Sequence, residues 1–399
     1  MCKVLGSKET EDGQSRCSQC IKFSLPVQIC SRERLTRHNP FEKCALLLSV
    51  LLYQANNAVG KDITYEILFT SVQWSGSSSR AVQLRQYHGG PTLDVDCCEY
   101  LPTHKNQVHV LLQNSNGWHP QVTTAYCLTN PKIDISPYVQ KCIPFSLNEV
   151  FMRRDPVSLF FRLAALYRKT PIIYQCLEMY TTLCLMRIRW QFAGDESLGM
   201  AIIDDRNSAW YGSRPVPRMI QNQLGHLLEL NMIELDRKIS TGIQNMMELR
   251  KRRMWVVLTL AAFLLLHIRE LDAGRNIFWS RYIDTLGFWI HPSKPKALIE
   301  EAVISCTSLL SHFHCLIGQK PLDLDWDDQK SRDMVDNDED VVKAMKALRS
   351  LVLKLRDKNL IGREACNLYK DGDPNSVSFT ISSLLFERMN KGCEIKGFH

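Results

Sequence analysis

Two thiols, Cys17 and Cys20, stand two residues apart in Arg16-Cys17-Ser18-Gln19-Cys20, and Cys30 follows after nine more residues that include Leu25-Pro26. Deprotonated thiols at C-x-x-C spacing can share one metal ion, and a cysteine beyond a proline-containing loop can return to it, so the chemistry on offer is tetrahedral zinc binding. Cys17, Cys20 and Cys30 are the candidate metal ligands, with zinc as the implied cofactor. Cys2 could supply a fourth thiolate, although the stretch between Cys2 and Cys17 has no supporting pattern. The competing reading of the same residues is an N-terminal tail with free thiols. Around and behind the cysteines lie Lys22, Arg32, Arg34 and Arg37, candidate contacts to DNA phosphates by position alone.

Residues 16 to 37 resemble the second half of the fungal binuclear zinc cluster. In that family a basic residue, Cys, two residues, Cys, a Leu-Pro or His-Pro loop and a final Cys precede a basic linker. The resemblance implies a transcription factor of the nucleus that holds zinc, contacts DNA and works with protein partners of the transcription machinery. In the family the first half carries three further cysteines and a basic helix for the major groove. Residues 1 to 14 contain Cys2 alone, with Glu9, Glu11 and Asp12 where basic residues are expected. Two expectations follow: a gene model that lacks the upstream half, or a regulator that has lost its DNA-reading half. Specific DNA reading by this form is not expected from either. Residues 150 to 390 also resemble the helical regulatory region found behind such clusters. That resemblance rests on Leu271-Asp272-Ala273-Gly274-Arg275-Asn276-Ile277-Phe278-Trp279 after an apolar helix, on Cys306 to His314, and on an acidic stretch ahead of a basic amphipathic helix. It implies control of activity or dimerisation, with a homodimer as one expectation, and no catalytic residues.

Other constellations are weaker. Arg250-Lys251-Arg252-Arg253 has the form of a nuclear import signal, but it directly precedes the most apolar segment, where cations at a helix end are the simpler reading. Asp323 to Asp340 holds nine acidic residues in 18 without the glycine and glutamate of a calcium loop, so it reads as a solvated loop and helix start that could meet a partner. Asp204-Asp205 and Asp327-Asp328 lack the further carboxylate of a magnesium–diphosphate site. His312 and Cys315 share a helical face, whereas His314 does not, which favours packing over a common metal. His88-Gly89-Gly90 has the form of an esterase oxyanion loop but has no nucleophile elbow beside it.

The composition suits a globular chain. Over 399 residues, 45% are hydrophobic and 23% charged, and the net charge of +7 permits a nucleic-acid partner without demanding one. Fifteen cysteines, most of them single in apolar segments, point to reduced or buried thiols, not a disulfide framework. No apolar stretch follows Met1, so no secretory signal is expected, and the 14-residue run Trp255 to Ile268 is too short for a bilayer.

The elements that must position any site fall into three parts. Residues 1–38 are the partial zinc-cluster module and basic linker. Residues 39–148 form a connector of low regularity, with a short helix at Cys44 to Tyr53 and a few strands in runs such as Ile63 to Val72 and Val108 to Leu112. Residues 149–399 read as an all-helical regulatory domain. Its helices are expected at Pro156 to Tyr167, Ile172 to Phe192, Met219 to Arg253 with a bend near Ser240-Thr241-Gly242, 255 to 271, Ala297 to Leu316, and from Asp338 onward. The fold class is therefore mainly α, a helical bundle preceded by a short cysteine-bearing module and a loosely structured connector. The function expected is a fungal-type transcriptional regulator. The alternatives are a helical protein-interaction module that does not bind DNA, and a helical enzyme without a recognisable site.

Overall fold

The computed structural model describes residues 73–76, 78–102, 108–114, 117–130, 132–153, 156–208, 211–249, 251–286, 295–316, 323–357 and 380–386. The elements are β1 (Gln73–Trp74), β2 (Arg80–Arg85), β3 (Leu93–Leu101), β4 (His109–Asn114), β5 (Gly117–Val122), β6 (Tyr126–Leu128), α1 (Ser136–Met152), α2 (Pro156–Leu166), α3 (Pro171–Leu185), β7 (Gln191–Phe192), α4 (Arg218–Leu249), α5 (Trp255–Leu286), α6 (Pro295–Leu316) and α7 (Glu339–Asp357), with a short helical turn at Thr380–Ser383. The protein is mainly α, as its periodicity predicts.

The stretch read as a connector holds more order than its composition suggests. In β3, Val95 and Cys97 point inward while Asp94 and Asp96 face solvent, the alternation of a half-buried strand. β3 pairs antiparallel with β2, Val82 opposite Val95, and with β6, Cys98 opposite Cys127. β1 and β7 extend this five-stranded sheet, and β4 pairs with β5 separately, Asn114 opposite Gly117. One face of the sheet packs on helices: Val82, Leu84, Val95 and Leu128 share a core with Tyr138 and Val139 of α1 and Ile220 and Leu224 of α4.

Helix α3 ends at Leu185, earlier than the apolar pattern to Phe192 suggests. The Gln86 side chain explains the stop: its Nε2 donates to the carbonyls of Leu185 and Ile188, both at 2.6 Å. The chain then leaves as β7, with Gln191 opposite Arg85 and Phe192 opposite Leu84. Tertiary pairing has overridden local helical preference. α1 begins at Ser136, well before residue 149, and accommodates Pro144 in its interior.

Helix α4 has 32 residues, so it is about 48 Å long. Its first half packs on the sheet and its second half, Met232 to Met247, joins the helical core with α2, α3, α5, α6 and α7. Gly242 marks a close approach between helices, since a Cβ there would lie 2.9 Å from Ile172 Cδ1 of α3. α5 is the central helix. Arg252–Asn276 is long and apolar enough to cross a membrane, but 89% of its apolar window is buried against the other helices, the situation of a core helix. α7 carries Val341, Met345, Leu348 and Val352 inward, and Asp338 caps it by accepting from the backbone N–H groups of Asp340 and Val341. Cys97, Cys98, Cys127, Cys142, Cys176 and Cys306 are buried free thiols, and burial pushes the Cys306 thiol up to about 12.

Candidate functional site

The residues that the sequence singles out for metal and DNA, Cys17, Cys20, Cys30, Lys22, Arg32, Arg34 and Arg37, lie outside the described residues, as does the helix expected at Cys44 to Tyr53. Of the basic run, Lys251, Arg252 and Arg253 are exposed between α4 and α5, with the Arg252 guanidinium 5.6 Å from the centre of the Trp255 ring. His88 and Gly89 form the turn after β2: Gly89 adopts φ +66°, and a Cβ on Gly90 would come within 2.7 Å of Tyr87 Cβ. The acidic stretch is tied to α7, where Asp327 pairs with Lys346 and Glu339 with Arg332. His312 Nδ1 lies 2.7 Å from the Ser308 carbonyl, and His314 Nε2 lies 3.1 Å from the carbonyl of Leu384.

What the fold does assemble is a buried polar seam along α4 and α5. A helix apolar all round cannot carry Arg269, Glu270, Asp272 and Asn276 in its interior without partners, because an unpaired buried charge costs several kcal/mol. Arg269 meets Asp236 of α4 through a forked pair, Nη2 to Oδ1 at 2.9 Å and Nε to Oδ1 at 3.1 Å, with both side chains only 1% exposed. Its remaining hydrogens reach Ser240 Oγ at 3.1 Å and the Ser305 carbonyl of α6 at 3.3 Å. This one guanidinium therefore links three helices.

Adjacent charges extend the seam. Glu270 accepts from the Ser382 hydroxyl at 3.0 Å and from its backbone N–H at 3.2 Å, fastening the turn at Thr380–Ser383 onto α5. Asp272 accepts from Arg275 Nε at 2.9 Å, one helical turn on. Glu229 is fully buried with neither oxygen hydrogen-bonded among the described residues, and His226 Nδ1 stands 3.9 Å away. Burial holds its carboxyl well above the usual range; Arg275 opposes that shift and Asp272 adds to it. His267, on α5, is enclosed by the rings of Phe161, Tyr180 and Phe263, and burial drives its pKa down to about 3.

The sheet offers an open groove of about 430 Å³ lined by Arg80, Glu99, Thr124, Tyr126 and Leu198, among others. Its charges are already engaged: Tyr126 donates to Glu99 at 2.7 Å, and Arg80 lies 3.6 Å from Glu196 and over the Tyr126 ring.

The seam is suited to fixing helix register and to coupling the turn at Thr380–Ser383 with α5. Among the described residues, no group of three or more His, Cys, Asp or Glu is placed to hold a metal ion. Sequence reasoning passed over Asp236, Glu229, Arg269 and Glu270. The signal was present in the charged residues that interrupt the most apolar helix, since such residues are almost never buried unless paired.

Compared with known proteins, residues 63–384 match the family model described as KpeA transcription factor, which is well over half of the chain. No curated protein and no solved structure matches it.

Proposed function

Since this chain belongs to the KpeA transcription factor family, we propose that it is a nuclear regulator of the fungal zinc-cluster type, whose helical body is the regulatory part. The observation that carries this reading is the family match over the folded body, together with the Cys17, Cys20 and Cys30 spacing ahead of it. In this reading the three thiolates contribute to a zinc site that folds the small N-terminal module. Lys22, Arg32, Arg34 and Arg37 meet DNA phosphates, and the body answers to protein partners or to a second copy of the chain. The work is binding, without turnover of a substrate.

A second reading, a regulator that acts through protein contacts and does not bind DNA itself, is favoured by the acidic Glu9, Glu11 and Asp12 ahead of the cysteines, which repel phosphate. Zinc stoichiometry and DNA affinity separate the two. Under the first reading the purified chain holds zinc and binds duplex DNA with an affinity that falls as salt rises, the slope being about 0.9 per phosphate neutralised. Charge-neutral substitutions at Arg32, Arg34 and Arg37 then weaken binding to all sequences and flatten that slope. A chain without zinc and without salt-dependent DNA affinity contradicts the first reading and leaves the second.

A further inference from the structure

Strands β3 and β6 bring two thiols face to face. In their antiparallel register Cys98 stands directly opposite Cys127, which lies 29 residues later in the chain. Side chains at opposed positions share one face of a sheet, so both belong to the side on which Cys127 packs with Tyr100 and with Met219 of α4. Cys97, the next residue along β3, faces the other way, into the core with Val82, Val95 and Leu128.

The spacing of this pair follows from the ladder. The Tyr100 N–H donates to the Ala125 carbonyl at 3.0 Å, and the Thr129 N–H donates to the Asp96 carbonyl at 2.9 Å. Alternation makes the Cys98–Cys127 pair between them one of the hydrogen-bonded type, with Cα atoms about 5.5 Å apart, inside the range of about 4.4–6.8 Å that a disulfide spans. The Cβ atoms of such a pair stand near about 5.5 Å, wider than the roughly 3.5–4.5 Å of a relaxed disulfide, so a bond here closes with local strain. The Cys127 thiol already leans across, its Sγ 3.8 Å from the Cys98 carbonyl oxygen. Cys98 is 9% exposed and Cys127 only 1%, which puts Cys98 on the solvent side of the pair. Burial pushes both thiols up, Cys127 to about 12, and the charge of Asp96 adds to the shift at Cys98. Both are protonated at neutral pH, so the pair rests reduced.

We infer that Cys98 and Cys127 form a redox site, which closes to a disulfide when a peroxide oxidises Cys98. Cys98, once its proton has passed to solvent, attacks one oxygen of the peroxide. The O–O bond breaks, Cys98 becomes a sulfenic acid, and the departing hydroxide takes up a proton and leaves as water. The Cys127 thiol then attacks the sulfenic sulfur; the S–S bond forms, and the sulfenic hydroxyl leaves with the thiol proton as a second water. The two thiols have given two electrons to one peroxide. Because the opposed positions must be drawn together, the bond is one that small thiols reopen, which is the behaviour of a reversible site and not of a structural staple. The Leu128 N–H, next to Cys127, donates to Gln223 of α4 at 2.7 Å, so closure fastens β3 to the strand on which the start of that helix is seated.

The test treats the full chain with hydrogen peroxide, alkylates the remaining thiols and digests without reduction for mass spectrometry. Two peptides joined through Cys98 and Cys127 should appear, separate again on incubation with reduced glutathione, and be absent from Cys98→Ser and Cys127→Ala. Cys97→Ser should form the link as wild type does. Oxidation should raise the melting temperature of the wild type, because the link restricts the unfolded chain between the two cysteines, and the rise should be lost in Cys98→Ser. Should Cys127→Ala fail to fold, Cys98→Ser, at the more exposed position, decides alone. Cys98 found only as sulfinic or sulfonic acid, a link through Cys97 in its place, a link that glutathione does not reopen, or both thiols left unoxidised in the folded chain overturns the assignment.

Discussion

Helix α4 carries two arginine sites that differ in one respect. At Asp236 the arginine of the neighbouring helix, Arg269, arrives with its counter-charge, and five hydrogen bonds satisfy the pair in a fully buried place. At the beginning of the same helix the Arg218 Nε is sealed from solvent and has no acceptor among the described residues. The first site is complete within the chain, and its function is to fix how α4, α5 and α6 lie together. The second has no such fork of hydrogen bonds from the Arg218 Nε among the described residues. Burial of a cation is thus no guide to its role until the partner is known; a paired one fixes register.

The most disruptive way to test this contrast is to remove one half of the complete site. Arg269→Met or Asp236→Leu alone should destabilise the protein by about 3–5 kcal/mol, because each leaves a buried charge without its partner. Joining the two substitutions should restore most of that loss, as seen by chemical denaturation. Next in size is the link to Glu270. Ser382→Ala removes the hydroxyl donor and should lower stability by about 1.5–3 kcal/mol, with proteolysis near residue 380 rising first.

A buried group without any charge sharpens the contrast. His267 is held neutral in the fold, since its pKa of about 3 lies far below the value of about 6.5 expected in the unfolded chain. The unfolded state therefore takes up the proton first, and the contribution to stability is present above about pH 6.5 and lost as pH falls toward 3. The slope approaches about 1.4 kcal/mol per pH unit for the single group. Denaturation measured across this window should show a weaker acid sensitivity in His267→Phe than in wild type. The smallest effect belongs to the helix cap. Asp338→Ala should cost about 1 kcal/mol, which hydrogen exchange would detect in the first turn of α7.

How much of this was legible beforehand depended on whether the determining partner was local. The apolar circumference of α5, the inward stripe of α7 and the start of α2 at Pro156 were all readable, because each depends on a period of about three or four residues. The sheet was harder. β3 alternates cleanly, but its neighbours come from β2, β6 and β1, and the end of α3 is set by Gln86, about 100 residues earlier in the chain. The same distance hid the polar seam. Arg269 and Glu270 stand out in an apolar helix, yet Asp236 looks like one more polar residue of an amphipathic helix until α4 and α5 are placed side by side. Arg218 looks like an ordinary helix start, and only the fold shows its Nε sealed from solvent without an acceptor among the described residues. Cys17, Cys20 and Cys30 remain a statement about the sequence, since they lie outside the described residues.

The contrast between the two arginine sites reduces to a difference in sign, which melting temperatures can read directly in a buffer free of phosphate and sulfate. Arg269→Met should lower the melting temperature of the full chain. Arg218→Met, which removes a buried Nε without an acceptor among the described residues while keeping a side chain of similar length, should leave it unchanged or raise it. A fall in both variants of similar size would show that Arg218 is held by the protein as firmly as Arg269, and would contradict the account.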